Sequence, residues 1–205
     1  MHKHSRTHSL IANAALALAL TAAPAAMVAQ HADGAALVTK APKEADQFAF
    51  LIGQWSTTIT PQATSLGQKI HGVRKLHGTW RAWRALDGWG IADESRVVDA
   101  SGNPMALTQF VRVYDAAAKR WNVVSVDAYR GKVTSATAEL KDGVFTSIHD
   151  GTDADGKSFL SRTRFEKITP NSFVYTQARS YDGGKNWDDG VLTIEGKRTS
   201  ATAER

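Results

Sequence analysis

The chain has 205 residues, a formal net charge of +5 and no cysteine. That length accommodates one domain with a full hydrophobic core, and the missing cysteines exclude disulfides, zinc–thiolate, iron–sulfur and thiol chemistry. No Lys/Arg cluster exceeds two adjacent residues, so the basic balance is not a nucleic-acid footprint.

Residues 1–29 read as a secretory signal peptide. Lys3 and Arg6 supply a basic start, Leu10 to Leu20 is a nearly unbroken Leu/Ala run, and small residues lead to a cleavage point after Ala29, with Ala25 as the alternative. The apolar run is too short to span a bilayer, and no later segment is long enough, so no transmembrane segment is expected. Loss of Lys3 and Arg6 lowers the formal charge by two. The expected location is periplasmic or secreted. Residues 30–42 are small and polar and read as a flexible leader to a domain over 43–200.

Pro42 opens a predicted short helix that runs to Gly53, with Phe48, Leu51 and Ile52 at helical spacing and acids in its first turns. Trp55 to Thr60 is the first strand, and Pro61 to Gln68 is a loop. Strands are predicted over about 70–86, 89–98, 105–114, 121–128, 133–140, 144–149, 158–168, 172–180 and 187–197. Turn signals separate them, among them Asp-Gly at 87 and 142, Tyr-Asp at 114 and Asp-Gly-Gly at 182. Such a run of hairpins is an antiparallel meander, and a meander of about ten strands must close or stack to hide its edges.

The alternation along the strands chooses between those options. Over 105–114, Met105, Leu107, Gln109, Val111 and Val113 oppose Ala106, Thr108, Phe110, Arg112 and Tyr114. Over 158–168, Phe159, Ser161, Thr163 and Phe165 oppose Leu160, Arg162, Arg164, Glu166 and Ile168. A sandwich with one wet face alternates more sharply than this. Half-polar faces on both sides suit an all-β barrel around a cavity that carries some polar groups.

Two motifs carry a resemblance. Gly53-Gln54-Trp55 enters the first strand directly after a short helical segment, in the manner of the Gly-x-Trp signature of lipocalins and the wider calycin group. Ser180-x-Asp182-x-Gly184-x-x-Trp187 fits the Asp-box pattern; it occurs once, without the repeats of a propeller, and so reads as a structural hairpin. Together with Phe48-x-Phe50-Leu51-Ile52-Gly53-x-Trp55 and the Tyr114-Asp115…Trp121 turn, the pattern over about residues 46–198 resembles a bacterial secreted lipocalin-like family of unknown function. The resemblance implies a calycin-type barrel whose Trp55 plugs one end, with a basic residue of the last strand, Arg198 or its neighbour Lys197, lying across the indole. It implies no catalytic residue.

Other chemistry is thinly represented. Aligning Gly156 with the sixth position of an EF-hand loop puts Gly151 and Arg162 where acidic ligands are required, so the Asp150–Gly156 run reads as a polar turn. His71 and His77, if 70–77 is extended, stand about 20 Å apart, too far to share a metal. His149 stands alone at a strand end. Asp93 and Glu94, adjacent on a strand, point to opposite faces and cannot act as an acid/base pair. No phosphate loop, nucleophile elbow or zinc-protease motif is present. No cofactor or metal is expected.

The sequence therefore predicts an exported barrel holding a small, hydrophobic molecule. Glu94, Gln109, Arg164, Tyr175 and Gln177 are its candidate polar anchors, being central strand residues with hydrogen-bonding tips. The alternative is an isomerase, cyclase or hydrolase on the same barrel, using Arg164, Glu94 and Tyr175. Either assignment hangs on which strand face looks inward.

Overall fold

A computed structural model describes residues 40–202. The signal-peptide reading of 1–29 and most of the proposed leader lie outside these residues. Ten antiparallel strands form a closed barrel in simple meander order. They are β1 (Gly53–Pro61), β2 (Leu76–Ala85), β3 (Gly90–Val98), β4 (Pro104–Asp115), β5 (Arg120–Asp127), β6 (Lys132–Lys141), β7 (Val144–Thr152), β8 (Ser158–Glu166), β9 (Ser172–Ser180) and β10 (Asp188–Ser200). β1 closes the barrel against β10, with Trp55 opposite Arg198 and Ile59 opposite Ile194. Closure removes the edges that the meander would otherwise expose.

Two local expectations are corrected. The segment before β1 forms two 3₁₀ turns, Lys43–Asp46 and Ala49–Leu51, rather than one helix. Tertiary contacts override the helical spacing: Phe48 and Leu51 both have to enter the end of the barrel, and Arg198 holds the carbonyls of Phe50 and Ile52. The region 65–71 is not loop and strand but an α-helix, α1 (Leu66–His71). Ser65 caps it by accepting from the Gln68 N–H, while the Gln68 side chain reaches back to the Ser65 N–H, a reciprocal capping box. β2 consequently starts at Leu76, and His71 lies on the helix, not beside His77 on one strand.

The capped end is tightly packed. Phe48, 1% exposed, stacks on Phe145 with ring centroids 3.8 Å apart and meets Trp121 edge-on at 4.9 Å. Burying such a ring stabilises the fold by about 1.5–3 kcal/mol. Trp55 donates its indole N–H to the Leu51 carbonyl at 2.7 Å, and Trp121 donates to Gln47 at 2.9 Å. Arg198 lies over Trp55 at 4.1 Å, donates to the carbonyls of Phe50 at 2.6 Å and Pro170 at 2.5 Å, and also reaches Ile52. One guanidinium therefore ties the capping segment, the first strand and the last strand together. The Asp-box hairpin is built as its residues require. Asp182 receives the Ser180 hydroxyl at 2.8 Å and the Asn186 N–H at 2.9 Å, and Trp187 donates to the Gly184 carbonyl at 3.0 Å. Gly183 and Gly184 take the positive φ values the turn needs, 74° and 90°.

Candidate functional site

The inner face follows from register. Trp80 is opposite Trp55 and Ser95, Asp93 is opposite Ala82 and Phe110, and Phe165 is opposite Phe145 and Tyr175. All of these look inward. On β4, β8 and β9 the inner face carries Phe110 and Arg112, Ser161, Thr163 and Phe165, and Phe173, Tyr175 and Gln177, respectively.

The interior is unevenly filled. On the β1–β3 and β10 side, Trp55, Ile59, Trp80, Ile91 and Ile194 pack it solid. On the β4–β9 side several inward residues of β5, β6 and β7 are small: Ser125, Thr134, Ala136, Ala138 and Ser147. They leave a cavity of about 110 Å³, walled by Phe48, Phe110, Phe145 and Phe165. Ala138 is 2% exposed at the deep end, whereas Ala136, Thr134 and Ser125 are progressively nearer the rim and only partly buried, so the cavity opens toward that rim. The hollow is thus made by short side chains on three adjacent strands rather than by a wide barrel.

A charged pair sits at its wall: Arg112 lines the cavity, and its partner Asp93 is buried outside the lining. Arg112 and Asp93 are in direct ion-pair contact, with side chains 4% and 0% exposed. Asp93 also accepts the Trp80 indole N–H at 2.8 Å. The guanidinium of Arg112 is sandwiched by rings, its centre 5.1 Å from Phe48 and 5.0 Å from Phe110. Burial lowers the Arg112 pKa to about 10, opposed weakly by Tyr175, so the group stays charged at neutral pH. Burial likewise raises the Tyr175 phenol above its ordinary value, outweighing Thr163 and the Arg112 cation, so Tyr175 is a neutral donor. At the rim, burial and then Lys132 depress the pKa of His149, against the pull of Asp150. His149 is therefore a neutral imidazole at pH 7. The wall offers an arginine paired with a buried aspartate, a phenol, four hydroxyls (Ser125, Thr134, Ser147 and Thr163), an imidazole and aromatic faces.

The five sequence-predicted anchors divide. Tyr175 lines the cavity. Gln177 faces inward on the same strand but is occupied, donating to the Ser161 hydroxyl at 2.9 Å. Glu94, Gln109 and Arg164 are on the outer face and do not line this cavity. Glu94 pairs with Arg81 at 3.3 Å, Gln109 lies beside Glu94 in the ladder, and Arg164 stands 3.7 Å from Glu166. Their strand parity is opposite to that of Phe110, Asp93 and Phe165, which the core claims. The Arg164–Glu94–Tyr175 set suggested for an enzyme therefore does not assemble. Asp93, Arg112 and His149 are the functional groups that sequence reasoning did not select. The available signal was Arg112 sharing a strand face with Phe110 and Tyr114, and Asp93 sharing one with Trp89 and Ile91.

No family model matches the chain, and no curated protein matches it. Among solved structures the chain is similar to EF1p2_mFAP2b bound to DFHBI, at 11% identity and a TM-score of 0.39, covering 76% of this chain and 98% of that one. It is also similar to a redesigned β-barrel, mFAP0, bound to DFHBI, at 12% identity and a TM-score of 0.38, covering 73% and 99%. Likeness this distant says nothing about what this barrel holds.

Proposed function

We propose that this protein is an exported, lipocalin-like barrel that binds a compact small molecule in the hollow half of its interior. The observation that carries the reading is the cavity itself: aromatic walls, a short row of small residues opening toward the rim, and polar tips from Tyr175, Thr163 and Arg112 within it. Its volume of about 110 Å³ sets the scale of the occupant. A cavity of roughly 150 Å³ takes up benzene; this hollow is smaller, so at most a single ring lies inside it with any further atoms at the open rim, and a long acyl chain has no room to lie there. Export rests on the Lys3/Arg6, Leu10–Leu20 and Ala29 pattern, and the lipocalin-like assignment on the Gly53–Trp55 entry with Arg198 over the indole.

Calorimetric titration with phenol tests the reading. One saturable site is expected in the wild type. In Ala136→Phe the new ring occupies the hollow, and binding is lost while the far-ultraviolet circular dichroism is kept. Absence of saturable heat in the wild type, or unchanged binding in Ala136→Phe, overturns it.

A further inference from the structure

The ion pair in the cavity wall narrows the chemistry of the occupant. A guanidinium carries five N–H donors and no acceptor. Arg112 turns Nη1 to Asp93. Among the described residues, no other acceptor takes a hydrogen bond from its remaining donors, although the side chain is 4% exposed and lines the cavity. Donors of a buried charged group left without acceptors are costly, and the cost is relieved by any acceptor that enters. The positive charge, however, is already matched by Asp93. An anion entering the hollow would put a second negative charge beside the same cation, in a wall where Asp93 is fully buried, and would have to shed its own hydration. A neutral acceptor satisfies the free donors and leaves the site's net charge at zero. The remaining walls, Phe48, Phe110, Phe145 and Phe165, are ring-shaped surfaces.

We infer that the occupant is an uncharged aromatic or similarly compact ring compound bearing an acceptor oxygen, a carbonyl or ether rather than a carboxylate, with that oxygen directed at Arg112. This rests on the lumen being the binding site, and the test separates the two. Three probes of one shape are compared by nuclear magnetic resonance titration: acetophenone, its hydrocarbon isostere α-methylstyrene, and benzoate. The wild type is expected to hold acetophenone at least tenfold more tightly than α-methylstyrene, the scale of one hydrogen bond from a charged donor, and more tightly than benzoate at pH 7. In the double variant Asp93→Asn/Arg112→Met, the tenfold ratio is expected to collapse to near one while α-methylstyrene still binds. Equal affinity for ketone and hydrocarbon in the wild type, or benzoate as the tightest probe, overturns the inference and leaves the lumen reading standing. Failure of all three probes to bind removes the lumen reading itself, and the inference with it. Should the double variant not fold, the infrared carbonyl band of ¹³C-labelled acetophenone bound to the wild type decides. A shift to lower frequency than in hydrocarbon solvent supports the contact with Arg112, and an unshifted band refutes it.

Discussion

Replacing Asp93 by Asn leaves the Trp80 indole N–H its acceptor but strands the Arg112 cation at a side-chain exposure of 4%. Arginine cannot escape by losing its proton at neutral pH, so the variant bears the cost of an unmatched buried charge, about 3–5 kcal/mol. Arg112→Met strands Asp93 instead. A carboxylate has the escape arginine lacks: it takes up a proton, so this cost is smaller at acid pH and grows as pH rises past the ordinary carboxylate range. Removing both charges in Asp93→Asn/Arg112→Met leaves a neutral amide bonded to Trp80 and a thioether among Phe48, Phe110 and Phe165. The double variant is expected within about 1.5 kcal/mol of the wild type. Urea unfolding of the four proteins, read by tryptophan fluorescence, gives the coupling energy, which should exceed about 3 kcal/mol. A cost under about 1 kcal/mol for Asp93→Asn, or a double variant that costs the sum of the two singles, would refute the reasoning that the pair is buried and mutually dependent.

Three further outcomes follow from the same contacts. Arg198→Met removes the cation from Trp55 together with its donations to Phe50, Ile52 and Pro170, and is expected to cost about 2–3 kcal/mol in urea unfolding; Arg198→Lys should recover less than half, because one ammonium cannot reach all three carbonyls. Gly196→Ala drives a new Cβ into the ring of Phe173, which is 1% exposed, and should lower stability by about 1–3 kcal/mol in the same assay. His149 has a depressed pKa, so the unfolded chain binds its proton more readily than the folded one. Its contribution is therefore complete above the unfolded value near 6.5 and is lost as pH falls below it. Thermal unfolding of the wild type should weaken from pH 7 to pH 5 by more than that of His149→Gln, and equal slopes would contradict the assignment.

The architecture was legible because its signals are local. Asp-Gly and Tyr-Asp turns punctuate strands of even length, and Gly53–Trp55 with Arg198 marks the closure, which the structure places in register across β1 and β10. The direction in which each strand faces was not. Glu94 and Asp93 are neighbours, and only the long-range pairing with Phe110 and Ala82 decides that Asp93 turns in. The same ambiguity misplaced Gln109 and Arg164, whose hydrogen-bonding tips serve equally well on a wet outer surface. The cavity was hidden for another reason. It arises from the coincidence of Ser125, Ala136 and Ser147 on three paired strands, and small residues carry no signal singly. The capping box of α1 was readable as Ser65-x-x-Gln68, but Ile70 and the following basic residues looked like the start of a strand.

The claim on which the rest depends is that this half-filled barrel admits a ring-sized molecule between β4 and β9. It is tested most directly by following the alanine, valine and isoleucine methyl resonances of the protein as phenol is added. Saturable shifts of the Ala136 and Ala138 methyls, with the exposed turn residue Ala117 unchanged, are the predicted result. Shifts confined to outward-facing residues such as Val124, Val133 and Ile148, or no saturable shift at all, would contradict it.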